Sequence, residues 1–320
     1  MNILITGATG FIGSHLVHKL LLSKEHNLFC LVRKSSDVSF LKNKNVNLIY
    51  ADITYLDMLR ESLKNISFDG VFHCAGHVEN KNFKKLTEVN IIGIENICRI
   101  CLEKKIPQMI YLSSVAVVSG NQEVPLTENL PFKASNIYGQ SKLEAEKLVL
   151  NYRAAGLNVS ILRPCMVYGE GERHLLGLIL KLIKLRALPL LEPAENKLHL
   201  VYVKNVVDAM LFALQNERTY KGTFFIADNE VLSVKEVFSL MAKILGSKPP
   251  FMISKKITPL LSLIPNLRTK ISFFEKDRIY DISQFKSIGF VPRFSAYEGI
   301  ESTVKYWLKN KNRNILATVT

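Results

Sequence analysis

Apolar positions in the first half of the chain follow two alternating patterns. Short β-branched runs read as strands: ILIT at 3–6, LFCLV at 28–32, VNLIY at 46–50, GVFHCA at 70–75, QMIYLSS at 108–114 and NVSILRP at 158–164. Between them lie longer stretches with helical spacing, among them 11–22, 90–104 and 138–155. Strands that alternate with helices predict a parallel sheet covered on both faces, the pattern of a doubly wound α/β fold. After Gly169 the rhythm changes to longer helices and loops, with isolated strands at 200–203 and 223–227 and a last helix at 296–309. The expected organisation is therefore a doubly wound domain over 1–169 and a smaller cap over 170–320, with residues around 200–215 returning to the first domain.

Composition narrows the class. With 320 residues, 48% of them hydrophobic and 22% charged, the chain can bury a large core and lacks the bias of a disordered protein. Lysine and arginine number 42 against 28 acidic residues, a net +14 that raises the local concentration of anions. The basic residues are dispersed, and no helix-turn-helix, zinc-finger or RNA-binding signature is present, so a nucleic-acid partner is not expected. A strand at 2–5 leaves no room for a secretory signal, which predicts a cytoplasmic protein. Five scattered cysteines suit reduced thiols; Cys98 and Cys101 form a CxxC without a second pair, so core packing is expected and no metal site.

Two apolar stretches need separate readings. Residues 174–191 carry Lys181, Lys184 and Arg186 inside the run and are too short to span a bilayer, which predicts an amphipathic helix and no transmembrane segment. Residues 251–274, broken by Pro259 and Pro265, read as a substrate lid or oligomer contact in preference to a surface that grazes a membrane.

The first candidate chemistry lies between the first strand and the first helix. There the chain reads Thr6-Gly7-Ala8-Thr9-Gly10-Phe11-Ile12-Gly13. Gly7 allows a tight turn, Gly10 lets backbone approach a pyrophosphate, and Gly13 lets helix and strand pack closely, so phosphates would rest on the helix N-terminus. Thr9, Phe11 and Ile12 complete this candidate dinucleotide site. The second strand ends Leu31-Val32-Arg33-Lys34 where an acidic residue would select a free ribose hydroxyl. Arg33 instead offers a fork for a 2′-phosphate, which favours NADP over NAD, or it stacks on the adenine of either cofactor. Asp52, followed by Ile53, ends the third strand, where its carboxylate could accept a hydrogen bond from an adenine amino group or cap a turn.

A second constellation is Tyr138 and Lys142, four residues apart and so on one helix face. A neighbouring ammonium stabilises a phenolate and brings a phenol closer to working pH. Together with TGATGFIG at 6–13, ADIT at 51–54, FHCAG at 72–76, VNIIGIENI at 89–97, YLSS at 111–114, YGQSKLEAE at 138–146, LRPCMVYGEGE at 162–172 and VYVKNVVDA at 201–209, the pair resembles the extended short-chain dehydrogenase/reductases, the NAD-dependent epimerase/dehydratase family. The resemblance runs from residue 1 to about 308.

That resemblance implies a Rossmann domain with a substrate-binding cap, hydride transfer at a secondary alcohol or ketone, and a homodimer through paired helices. It implies that Tyr138 moves the substrate proton, Lys142 holds the nicotinamide ribose and lowers the Tyr138 pKa, and Ser114 hydrogen-bonds the substrate oxygen, with Ser113 as the alternative register. Asn90 would support the site, while Ala75, Gly76, Pro164 and Val167 would lie along the cofactor. Dehydratases of the family carry Thr-Asp-Glu where this chain has Ser114-Val115-Ala116, so the acid and base needed to eliminate water are missing. Met166 and Asn205 also depart from the Asn and Asp that many galactose epimerases place there. The leading expectation is a nucleotide-sugar 4-ketoreductase or epimerase; the alternatives are a 3β-hydroxysteroid or lipid-alcohol dehydrogenase and a non-catalytic dinucleotide-binding regulator.

Overall fold

The computed structural model of the chain describes residues 1–79, 82–172, 175–257 and 276–316. Seven strands form the main sheet: β1 (Asn2–Thr6), β2 (Asn27–Val32), β3 (Val46–Tyr50), β4 (Gly70–His73), β5 (Met109–Leu112), β6 (Val159–Pro164) and, much later in the chain, β10 (Thr223–Ile226). Their order is β10-β6-β5-β4-β1-β2-β3 and every pairing is parallel. This is the doubly wound Rossmann arrangement expected from the alternation of strands and helices. Burial on both faces explains the unbroken apolar runs: Ile3, Leu4 and Ile5 of β1 have no solvent exposure. The strand order reverses between β1 and β4, and such a switch point opens a crevice at the carboxyl ends of the strands.

Helices α1 (Phe11–Ser23), α2 (Leu56–Leu63), α4 (Gly93–Glu103) and α5 (Ile137–Ala154) connect these strands. The helix expected at 90–104 is preceded by α3 (Phe83–Leu86) and a wider π-type turn over Thr87–Ile92, so Asn90 lies on that turn and α4 begins three residues later. Cys98 and Cys101 face the core from α4, as the spacing predicted. The strand expected at 70–75 stops at His73 because the chain then crosses the glycine turn, where Cys74 N donates to Thr6 O at 3.2 Å.

By internal contacts the chain divides into two compact units. The first holds Met1–Cys165, Val206–Ile226 and Asp281–Val291; the second holds Met166–Asn205, Ala227–Tyr280 and Pro292–Thr320. The first unit thus takes in β10, α9 (Ser283–Ser287) and most of α7 (Val203–Gln215), while of the segment around 200–215 expected to return, residues up to Asn205 belong to the second. The second contains the sheet β11-β9-β7, built from β7 (Met166–Tyr168), β9 (Lys197–Tyr202) and β11 (Val231–Ser233). It also holds the parallel pair β8 (Pro189–Leu191) and β12 (Phe251–Ile253), with helices α6 (Leu176–Lys184), α8 (Val234–Ile244) and α10 (Ala296–Leu316).

The amphipathic helix expected over 174–191 is shorter than that. It ends because Arg186 turns left-handed at φ 55°, and 189–191 becomes strand β8. Of the 251–274 segment, only β12 and one helical turn at Lys255–Ile257 fall within the described residues.

A buried carboxylate centres the second unit. Asp228 Oδ1 accepts from Tyr202 N at 2.9 Å and Asn205 Nδ2 at 2.7 Å, and Oδ2 accepts from Tyr168 OH at 2.9 Å. Burial pushes this carboxyl up to about 6 against those three donors. Asn205 also clamps Phe294, donating to its carbonyl at 2.8 Å and accepting from its N–H at 3.0 Å. An aspartate at 205 would set a second carboxylate against Asp228, which gives a physical reason for the Asn in this chain.

Candidate active site

The glycine segment forms a cradle that side chains would fill. Gly7 sits at φ +69°, and a Cβ there would lie 2.6 Å from Ala75 N; at Gly13 it would lie 2.1 Å from Gly7 O. Only glycine fits either place. Gly10 N donates to Gly7 O at 2.9 Å, and Gly10 caps α1 without a side-chain bond. The first-turn amides and the positive end of the helix dipole therefore face outward at the switch point, a donor set suited to a pyrophosphate. Thr9, Phe11 and Ile12 are half-buried around this turn. The residues present thus fit the phosphate portion of a dinucleotide.

The loop after β4 forms the next wall. Ala75 N reaches Thr6 Oγ1 at 3.3 Å, and Thr6 Oγ1 pairs with His73 Nδ1 at 2.8 Å. Burial, reinforced by the Lys142 charge, holds His73 down at about 3, so the imidazole is neutral. Asn90 fastens the loop to α5: its Oδ1 accepts from His77 N at 2.7 Å, and its Nδ2 donates to His77 O and Ser141 Oγ, each at 2.9 Å. Gly76 passes close to Asn90, where a Cβ would stand 3.5 Å from Oδ1.

The other expected cofactor contacts are arranged less directly. Arg33 is exposed beyond β2, and its backbone N–H donates to Ser36 Oγ at 3.2 Å. Asp52 uses Oδ1 to accept from Thr54 N at 3.0 Å and Thr54 Oγ1 at 2.8 Å, the turn-capping use that the sequence left open. Ile53 is buried, and its carbonyl accepts from Asn96 Nδ2 at 2.9 Å. Pro164 closes β6 in the first unit, whereas Val167 lies on β7 in the second.

Helix α5 presents Tyr138, Lys142 and Glu146 on successive turns. Its start is fixed by Asn136, whose Oδ1 accepts from Gly139 N at 2.7 Å. Burial pushes the Tyr138 phenol up, and a hydrogen bond with the Ser114 hydroxyl pulls it down. Lys142 is buried; its Nζ donates to Leu112 O at 2.8 Å and stands 4.6 Å above the Tyr111 ring. Burial lowers its pKa to about 8, against the opposing pull of Glu146 and Cys74. The sequence assigned lowering of the phenol pKa to Lys142. In the structure burial outweighs the Ser114 hydrogen bond and leaves the phenol above its ordinary value, while the Lys142 ammonium, one helical turn away, is held on the strand carbonyl.

The two adjacent serines are bound differently. Ser113 Oγ is buried and donates to Glu146 Oε2 at 2.6 Å. Ser114 Oγ caps the turn after β5, accepting from Ala116 N at 3.2 Å, and reaches Tyr138. Of the two serines, Ser114 thus accompanies the phenol, and Ser113 joins the Glu146–Arg163 ion pair.

That ion pair escaped the sequence reading. Glu146 accepts from Arg163 Nε at 2.9 Å and also from Nη2, and Arg163 Nη1 donates to Glu128 O at 3.0 Å. Glu128 Oε1 in turn accepts from Phe225 N at 2.8 Å, so one buried network joins β5, α5, β6 and β10. Two signals in the sequence point to it: an acid one turn beyond Lys142, and an arginine inside the apolar run of β6. Chemically, a hydroxyl, a phenol and a buried ammonium close to a phosphate cradle can bind an alcohol or ketone oxygen and exchange a proton with it.

Comparison with known proteins agrees with this geometry. The model of the "NAD dependent epimerase/dehydratase family" matches residues 3–227. The UDP-glucose 4-epimerase of Vibrio cholerae is 30% identical over 98% of this chain and 97% of its own length. Among solved structures, the UDP-glucose 4-epimerase of Thermotoga maritima with UDP-glucose superposes with a TM-score of 0.81 at 24% identity, over 97% of this chain and 100% of that one. The UDP-glucuronic acid 4-epimerase of Bacillus cereus in complex with NAD gives a TM-score of 0.78 at 22% identity, over 97% and 99%. A Rossmann sheet with its glycine cradle, a Ser–Tyr–Lys cluster at the end of β5 and the start of α5, and a family match over most of the chain lead to one conclusion: the chain belongs to the NAD-dependent epimerase/dehydratase family, as an extended short-chain dehydrogenase/reductase enzyme.

Proposed function

We propose that the protein is a nucleotide-sugar 4-epimerase that keeps NAD as its resident cofactor. The observation that carries this reading is the grouping of Ser114, Tyr138 and Lys142 beside the glycine cradle, in a chain similar to 4-epimerases over nearly its full length. Bound NAD supplies a hydride acceptor that can return the hydride to the same carbon.

The chain's own residues then act on the proton and on orientation. Ser114 holds the secondary hydroxyl, and Tyr138, entering as a phenolate whose charge the Lys142 ammonium balances, takes its proton as the carbon–hydrogen bond is lost. When the resulting ketone presents its other face, Tyr138 gives the proton back and Ser114 holds the oxygen throughout. Lys142 places a positive charge below the site and offers donors to a ribose hydroxyl. With its pKa near 8 this charge is present at neutral pH and is lost as pH rises through that value. Gly7, Gly10 and Gly13 admit the pyrophosphate, Asn90 secures the loop of Ala75 and Gly76, and Pro164 and Ile53 are assigned to apolar contacts with the cofactor.

Sequence alone favoured NADP because of Arg33. We assign NAD instead, because the B. cereus enzyme is described with NAD and because an epimerase that restores its own cofactor needs no exchange with a reduced pool. Arg33 then serves the adenosine end through its guanidinium plane, without a 2′-phosphate. The absence of an acid and a base at Val115 and Ala116 argues against dehydration.

The test is Tyr138→Phe. Interconversion of UDP-hexose C4 epimers should fall by about 10³-fold, with NAD affinity nearly unchanged. A Phe variant that retained full activity would rule out this assignment.

A further inference from the structure

The second unit carries a surface that the proposed chemistry does not use. Helix α6 buries Leu180 and Ile183 and turns another apolar stripe outward: Leu178 is 51% exposed and Leu185 64%, with Leu175 exposed just before the helix. Positions 175, 178, 182 and 185 share one side of a 3.6-residue helix, and Lys181, Lys184 and Arg186 are exposed along it. The stripe continues beyond the helix. Ser247 Oγ donates to Ile183 O at 3.0 Å, which brings exposed Lys248 to the helix end. Phe251, 50% exposed, pairs in register with Pro189, shortly after Leu185.

Within the helix itself the charges are all positive; acids stand only at the two ends of the stretch, where Glu172 Oε2 accepts from Leu175 N and Leu176 N at 3.1 and 2.8 Å and exposed Glu192 follows β8. The sequence contains no acidic residue between Glu172 and Glu192, nor between Glu236 and Glu275. Exposed leucine and phenylalanine beside a surplus of lysine and arginine suit an interface that is anionic outside and apolar within. A water-facing helix would carry acids among its lysines, and an apolar face built for a second copy would not need this density of cations. No helix among the described residues is long and apolar enough to cross a membrane, so the fit is to a surface and not to a span.

We infer that the α6 face, with Phe251 and Lys248, docks on an anionic lipid membrane, the leucines entering the headgroup boundary and the cations pairing with lipid phosphates. This inference is independent of which sugar the enzyme takes.

Co-sedimentation of the full-length protein with vesicles tests it. One set contains phosphatidylcholine with one third phosphatidylglycerol, the other phosphatidylcholine alone. The protein should pellet with the anionic vesicles and stay in solution with the neutral ones, and rising salt should release it. Leu178→Glu with Leu185→Glu should abolish pelleting, and Lys181→Glu with Lys184→Glu should reduce partitioning at least about tenfold. All four side chains are exposed, so melting temperatures should match the parent and show that the variants are folded.

Three results would overturn the inference: no pelleting of the parent, pelleting that the variants leave unchanged, or equal binding to neutral vesicles. A leucine variant that instead converted a dimeric parent to monomer, with no vesicle binding by either, would assign the face to a second copy.

Discussion

At the scale of single residues, two neighbours one position apart make different bonds. Ser114 shares a hydrogen bond with the phenol of Tyr138, while Ser113 donates to the buried Glu146 carboxylate that also binds Arg163. Ser114→Ala should therefore lower kcat by about 10²- to 10³-fold with little change in melting temperature, since in the proposed reaction this hydroxyl binds the reacting oxygen. Ser113→Ala should keep most of the activity but cost about 1–3 kcal/mol, because a buried carboxylate oxygen loses its donor. Steady-state kinetics and thermal melts of the two variants check this; the reverse pattern would exchange the roles. Tyr138 and Lys142 were legible from spacing, since four residues place both on one helix face. The choice between the serines was not, because spacing cannot say which of two adjacent side chains turns into the sheet. Nor could it show that Lys142 donates to Leu112 O, a contact 30 residues away in sequence.

At the scale of elements, the same division recurs. The strands of the main sheet were legible because burial on both faces demands unbroken apolar runs, and the glycine turn was legible because only glycine tolerates its contacts. The short strands β7, β8, β11 and β12 were not, since three residues carry no periodicity. The extent of α6 was also missed, because the apolar run continues past the left-handed Arg186 into a strand that pairs with a segment some 60 residues away. Asn205 belongs to this scale. It bonds Asp228 and clamps Phe294, so it ties α7 to β9 and to the chain that leads into α10. Asn205→Asp should destabilise the protein by about 3 kcal/mol, since it buries a second carboxylate and removes a donor. Asp228→Asn added to it should restore part of that loss, because a carboxylate then again faces an amide. Equal melting temperatures for parent and Asn205→Asp would remove Asp228 as the centre of this unit.

At the scale of the whole molecule, the fold class and enzyme family were readable before any coordinates, because the motifs occur in order along the chain. The cofactor was less so. Arg33 has a physical reason to favour a 2′-phosphate, yet a cationic side chain at a strand end serves an adenine as well, and the B. cereus 4-epimerase is described in complex with NAD. The net +14 was read as attraction for a phosphorylated ligand. On the structure part of it gathers on the α6 face beside exposed leucine, the surface we infer to meet an anionic membrane.

In the proposed reaction hydride leaves and returns to one carbon of a bound sugar, with Tyr138 and Ser114 managing the oxygen. A UDP-hexose deuterated at C4 tests it most directly. Incubated with the purified protein, without added reductant, it should give the C4 epimer with the deuterium retained at C4, while the bound NAD stays equal in amount to the protein. Net formation of ketone or alcohol in proportion to added dinucleotide, with deuterium lost to the free cofactor, would contradict the account and mark the protein as a reductase or dehydrogenase.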